Sequence, residues 1–153
     1  MIDHDEWRVL REVFEYVNGL WGPHTIDRFA NSTNTKLKRF NSEYLCPNTE
    51  HVDAFTTSWE GENNYLVPPV SAIQIVIAHL QSCRAKGTLI APHWPSALSH
   101  PLILENDSIF KPFIKHWRIL GPSPNLLLQG GQQQLFYWHT FTTYRILRMK
   151  HKC

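Results

Sequence analysis

Tyr65-Leu66-Val67-Pro68-Pro69, then Ser71 to Arg84, then Thr88-Leu89-Ile90-Ala91 is the stretch that decides the fold. The first run is short and apolar, and two prolines must end it because neither can donate to a ladder. Ile73, Val76, Ile77 and Leu80 then recur at three- and four-residue steps, the period of one helix face, with Ser71 placed to cap the start and Lys86-Gly87 to close the end. Thr88 to Ala91 has the composition of a buried strand. Strand, helix and strand within about 30 residues form a βαβ unit, whose crossover makes the two strands parallel. The predicted fold class is α/β, with a mostly parallel sheet and flanking helices.

Upstream, Trp7, Leu10, Phe14, Val17 and Trp21 repeat with helical spacing, which predicts a helix from Asp5 to Asn18 with Gly19 as its left-handed stop. After Pro23, His24-Thr25-Ile26-Asp27 reads as a strand ending near Asp27, before the polar loop Asn31-Ser32-Thr33-Asn34-Thr35. From the basic run Lys36-Leu37-Lys38-Arg39 to the turn at Trp59-Glu60-Gly61 the chain reads as loop with short strands, and Asn63 and Asn64 are read as preceding the strand at Tyr65. Downstream, Pro95, Pro101, Pro112, Pro122 and Pro124 break the chain. Trp117-Arg118-Ile119-Leu120 and Leu135-Phe136-Tyr137-Trp138 are the remaining strand candidates. Beyond Gln129 the composition shifts, and Arg145, Arg148, Lys150 and Lys152 crowd the end. The predicted organisation is one domain over residues 1–125 and an atypical, loosely packed basic tail over residues 126–153.

With 42% hydrophobic and 18% charged residues the chain is globular in composition, and a net charge of +2 creates no field that would force nucleic-acid binding. No stretch approaches about 18 consecutive apolar residues, and the acidic start Met1-Ile2-Asp3-His4-Asp5-Glu6 is unlike a signal peptide, so an intracellular location, nucleus or cytoplasm, is expected and no membrane partner. Cys46, Cys83 and Cys153 are odd in number and widely spaced, which suggests neither a disulfide framework nor a zinc site. The nine histidines are scattered, and no metal is expected. Lys36, Lys38 and Arg39 beside Phe40 are the candidate phosphate contacts, against the alternative of a solvated face.

Trp21-Gly22-Pro23-His24-Thr25-Ile26-Asp27-Arg28-Phe29-Ala30, together with Asp53-Ala54-Phe55, Trp59-Glu60-Gly61 and Gly87 to Pro95, resembles the segment that follows the reverse transcriptase and RNase H modules of DIRS-type tyrosine-recombinase retrotransposons. That segment is similar to phage-type Dam proteins, DNA adenine methyltransferases. The resemblance implies a Rossmann-like fold, S-adenosylmethionine as cofactor, and nucleic acid, reverse transcriptase, RNase H or recombinase modules as partners. It also implies a catalytic motif of the form polar-Pro-Pro-aromatic at the end of a strand. The polar side chain accepts a hydrogen bond from the adenine amino group, and the ring stacks on the flipped base.

In this chain the motif reads Val67-Pro68-Pro69-Val70, with neither acceptor nor ring, so only the Pro68 carbonyl is left to hold the amino group. Asp27 matches the family's acidic residue at a cofactor-side strand end, or is an ordinary strand-end Asp; Asp53 faces the same crevice or caps a turn. No Gly-x-Gly-x-x-Gly follows Asp27, and Ala30 is the only small residue of that turn. The expected function is a retrotransposon-derived, non-catalytic, methyltransferase-like accessory module. The alternatives are an active adenine methyltransferase and a decayed fragment without function. No carboxylate set for RNase H or polymerase chemistry is visible.

Overall fold

A computed structural model of the protein describes residues 7–9, 11–92, 112–120, 127–129 and 144–150. The expectations for Leu10, His93-Trp94-Pro95, Leu135 to Trp138 and the rest of the tail lie outside these residues. In chain order the elements are β1 (Trp7–Val9), α1 (Arg11–Trp21), β2 (Ile26–Asp27), β3 (Asn41–Ser42), β4 (His51–Val52), β5 (Asn63–Leu66), α2 (Ile73–Ser82), β6 (Lys86–Pro92), β7 (Ile114–Leu120), β8 (Leu127–Gln129) and β9 (Tyr144–Lys150).

The βαβ unit forms as its spacing predicts. Strands β5 and β6 pair in parallel, with Tyr65 opposite Thr88 and Leu66 opposite Leu89, and α2 connects them. Strand β2 adds in parallel on the other side of β5. The full sheet has the order β2-β5-β6-β9-β7, in which only β9 opposes the other four, being antiparallel to both β6 and β7.

Alternation along the strands divides the core between two faces. Leu66, Leu89 and Ala91 pack with Ile73, Val76, Ile77 and Leu80 of α2, all buried. Tyr65 and Ile90 point the other way and pack with Val13, Phe14 and Val17 of α1. Each of the four α2 side chains is at most 6% exposed, and full burial of such a side chain is worth about 1.5–3 kcal/mol.

Several boundaries differ from the sequence reading, for identifiable reasons. Trp7 belongs to β1, which pairs with β8, so the helix begins only at Arg11; it also runs through Gly19 to Trp21, where Gly22 and Pro23 stop it. A Cβ at Gly22 would collide with Asn18, which accounts for glycine there. Ser71 does not cap α2, because a 3-10 turn over Val70–Ala72 precedes the helix and Ala72 is its N-cap. Lys86 and Gly87 open β6 and do not close α2. The helix ends instead in a Schellman arrangement, with Ala85 N donating to Leu80 O at 3.0 Å, Arg84 N to Gln81 O at 3.1 Å, and Arg84 at φ 54°.

The tail also departs from expectation. Tyr144–Lys150 is not appended to the domain but lies between β6 and β7, with Leu147 and Met149 completely buried. Both side chains join the α2 side of the core, which explains why this part of the tail packs as tightly as the body.

Candidate functional site

Open α/β sheets bind ligands beyond the carboxyl ends of their parallel strands. Asp27 ends β2 and is in register with Tyr65, and Val67-Pro68-Pro69-Val70 follows directly on β5. The fold therefore brings Asp27 and the Pro-Pro segment to one edge. Val67 is half-buried there with Trp21 and Leu37 against the Tyr65 cluster, Pro68 is buried, and Val70 packs against both core clusters.

Asp27 is 3% exposed, and its Oδ2 accepts from the backbone N–H of Lys36 at 3.1 Å. Burial pushes its carboxyl up from 3.8 to about 6, against the opposing effect of backbone donors from Lys36 and Phe29 and the Lys36 charge. The carboxylate is thus wrapped by the backbone of its own loop. Ala30 N donates to Asn41 O at 3.1 Å. Asp53 is exposed, sits at φ 66°, and accepts from Phe55 N at 3.1 Å, capping the 3-10 turn Ala54–Thr56. Of the two readings open for Asp53, its side chain takes the turn-capping position.

Asn63 and Asn64 do not precede β5; they are its first two residues, and both are buried. Asn64 Oδ1 accepts from Arg28 Nε at 2.7 Å, while its Nδ2 donates to the carbonyls of Trp59, Glu62 and Lys86. Asn63 Nδ2 donates to the carbonyls of Trp21 and Pro23, and its Oδ1 accepts from Arg148. Both amides are committed at the amino end of the strand, away from Val67.

Two buried polar clusters had no counterpart in the sequence reading. Arg28 is 2% exposed; besides Asn64 it donates from Nη1 to Asn41 Oδ1 at 2.8 Å, and its guanidinium lies 5.7 Å from the Trp59 ring centroid. Its hydrogen-bond partners are neutral, and burial lowers its pKa to about 10 against the attraction of Glu62 and Glu50. His24 lies on the opposite side of the sheet, its Nδ1 2.8 Å from Asn18 Oδ1 and its Nε2 2.8 Å from Thr88 Oγ1, a pattern that suits a neutral ring. Burial, then the charge of Arg148, lowers its pKa to about 4. Arg148 itself donates to Thr88 Oγ1, so the same cluster ties β9 to β6.

The candidate phosphate contacts do not act alike. Arg39 is bound by Glu50 at 2.9 Å and by Glu62 at 2.7 Å, hydrogen bonds that raise its pKa and offset its charge. Lys36 Nζ donates to Asn34 O at 2.9 Å, whereas Lys38 stands exposed. Among the described residues no three His, Cys, Asp or Glu side chains gather as a metal site, and no helix is long and apolar enough to cross a membrane.

The mixed, mostly parallel sheet with helices on two faces and a Pro-Pro segment at its carboxyl edge defines an α/β protein. The family model for DNA N-6-adenine-methyltransferase (Dam) matches residues 2–100, more than half of the chain, and the chain belongs to that family. No curated protein matches it. Dam methyltransferases normally use S-adenosylmethionine, and Asp27, Ala30 and Asp53 are the residues expected to hold it. Asp27 and Ala30 are engaged by backbone of the surrounding loops, and Asp53 caps its own turn.

Proposed function

We propose that this chain is a Dam-family domain without methyl-transfer activity, serving as a non-catalytic, nucleic-acid-associated module derived from a DIRS-type retrotransposon polyprotein. The observation that carries the loss of chemistry is the end of β5, where Val67 and Val70 flank Pro68-Pro69 at the carboxyl edge. The cofactor would supply the methyl group; the protein has to supply an acceptor for the adenine amino group and a ring for the extruded base, and an isopropyl group does neither. The nearest amides, Asn63 and Asn64, are held by the hydrogen bonds of the amino end. Moving either to Val67 would shift the register and exchange the faces of β5.

A Rossmann-like reading of the sheet is supported by the common direction of β2, β5, β6 and β7 and by helices on both faces. The retroelement origin rests on the Trp21 to Ala30 segment and its companions, and it makes reverse transcriptase, RNase H and recombinase modules the natural partners, within the nucleus or cytoplasm. Lys38 is exposed, as is Arg39, but Arg39 is held by Glu50 and Glu62, which leaves Lys38 the first candidate for phosphate contact.

The competing reading, an active adenine methyltransferase, draws on family membership alone. Transfer of labelled methyl groups from S-adenosylmethionine to single- and double-stranded DNA separates the two. The unmodified chain is expected to transfer none, since losing groups that act in the transition state commonly costs about tenfold to a thousandfold each. Robust transfer by the unmodified chain overturns the proposal, and transfer gained only by Val67→Asn with Val70→Tyr supports it.

A further inference from the structure

The loop that follows β2 and the loop that follows β3 line an open cleft of about 610 Å³, within the about 300–1,000 Å³ of small-ligand sites. Half-buried Leu37 and buried Phe40 give it apolar surface. Most of its polar groups are already engaged: Ser32 Oγ donates to Pro47 O and Thr35 Oγ1 to Leu37 O, each at 2.6 Å, and Glu50 holds Arg39. Lys38 and Asn48 are exposed, and among the described residues neither side chain has a partner. Lys38 and Arg39 against Glu50 also leave the lining with a net positive charge. Asn48 shares its loop with Tyr44 and Leu45, which are 75% and 85% exposed. That loop is tied down, because Ser42 Oγ donates to Tyr44 O at 2.6 Å and Ser32 Oγ pins Pro47. An aromatic ring held in water by a fixed loop adds nothing to the core, and gains only by stacking on something outside the chain.

We infer that this cleft binds a nucleotide unit of single-stranded DNA, which rests on the nucleic-acid association proposed above. Lys38 meets the phosphate, Asn48 meets the base edge with an amide that both donates and accepts, and Tyr44 gives the neighbouring base a stacking platform. Leu37 and Phe40 suit the apolar face of a base. A duplex cannot use the cleft in this way, since each base face is covered by its neighbour in the stack. With the ammonium on phosphate and the amide on the base, no free donor remains in the cleft for a 2′-hydroxyl, which favours DNA over RNA. The nearby carboxylates do not cancel Lys38, because Glu50 and Glu62 are both committed to Arg39.

The test is fluorescence anisotropy of the full chain with labelled single-stranded DNA, RNA of the matching sequence and duplex DNA, and the single-stranded DNA is expected to bind tightest. Tyr44→Ala should weaken that binding about fivefold or more. Asn48→Gly should weaken it about threefold, without backbone strain because Asn48 sits at φ 68°. Lys38→Gln should lower the slope of log affinity against log salt by about 0.7. Because a variant can fail to fold, the unmodified chain is also acetylated with and without the single strand, and the modified lysines are located by mass spectrometry. Protection of Lys38 but not of exposed Lys115 is expected. Equal modification of Lys38 in both samples, or binding undiminished in all three folded variants, overturns the cleft and leaves nucleic-acid association standing. Tighter binding of RNA or duplex overturns the assignment to single-stranded DNA, and no binding of any of the three by the unmodified chain overturns both readings.

Discussion

Replacing Asp27 by Asn separates two titrations that nearly cancel in the unmodified protein. The Asp27 carboxyl moves from 3.8 to about 6 on folding, so the native state binds its proton more tightly than the unfolded state does. Stability from this group is therefore highest below about pH 4 and is lost as pH rises through about 6, a change of about 3 kcal/mol at about 1.4 kcal/mol per pH unit. His24 moves the opposite way, from 6.5 to about 4, so its contribution is complete above about pH 6.5 and is lost as pH falls towards 4. That loss is about 3 kcal/mol before solvent screening, which trims it towards about 2. Across the same window one group gains nearly what the other loses, and the unmodified chain should show a shallow profile. Asp27→Asn removes the carboxyl term, so its stability should climb by about 2–3 kcal/mol from pH 4 to 7 relative to the unmodified chain. At pH 7.5 it should be the more stable protein, by less than the full term because an amide accepts backbone N–H groups less well than a carboxylate. Guanidinium chloride unfolding followed by tryptophan fluorescence at pH 4, 5, 6 and 7.5 gives the comparison. Parallel profiles for the two proteins would refute the argument that burial of Asp27 dominates its titration.

Leu147→Ala, at a fully buried position of β9, should cost about 2–5 kcal/mol, and truncation at Gln129 should unfold the domain; a truncated chain with a native melting transition would show that β9 does not belong in the sheet. Gly87→Ala should destabilise by about 1–3 kcal/mol, because its Cβ would lie 2.8 Å from Asn64 O and 3.0 Å from Leu66 Cδ1; an unchanged denaturation midpoint would contradict that close approach. Arg84→Gly should raise stability by up to about 1 kcal/mol, since Arg84 holds the left-handed position of the α2 cap, and a lower melting temperature would count against the cap.

The βαβ unit was legible because its evidence is local. Pro68-Pro69 fixes the strand end, and the Ile73, Val76, Ile77, Leu80 spacing fixes the buried face, whatever the rest of the chain does. Strand β9 has a legible parity: Leu147 and Met149 face the α2 side of the core, while Arg148 between them reaches Asn63 and Thr88 on the opposite face. The charges of Arg145, Arg148, Lys150 and Lys152 mask that period of two, which is the stronger signal for a strand. Trp7 shows the opposite failure, since a helical spacing with Phe14 is met by chance while pairing with residues 127–129, more than a hundred positions away, decides its state.

The candidate site was half legible, and the missing half is instructive. The strand ends at Asp27 and at Val67 to Val70 were legible from local signals, Pro68-Pro69 above all, while the parallel pairing of β2 with β5 that brings them to one edge has no crossover helix to announce it. Asn63 and Asn64 were misplaced because asparagine is a poor strand former, and the forces that put them in β5 are hydrogen bonds to Arg28, Trp21, Pro23 and Arg148, contacts of long sequence separation. Those bonds bear directly on chemistry. An asparagine free to turn towards the carboxyl edge would be a candidate acceptor for an adenine amino group, whereas one whose oxygen already holds a buried guanidinium cannot leave without stranding that charge. On the proposed reading of Val67 as the position that lacks an acceptor, β5 therefore offers no substitute.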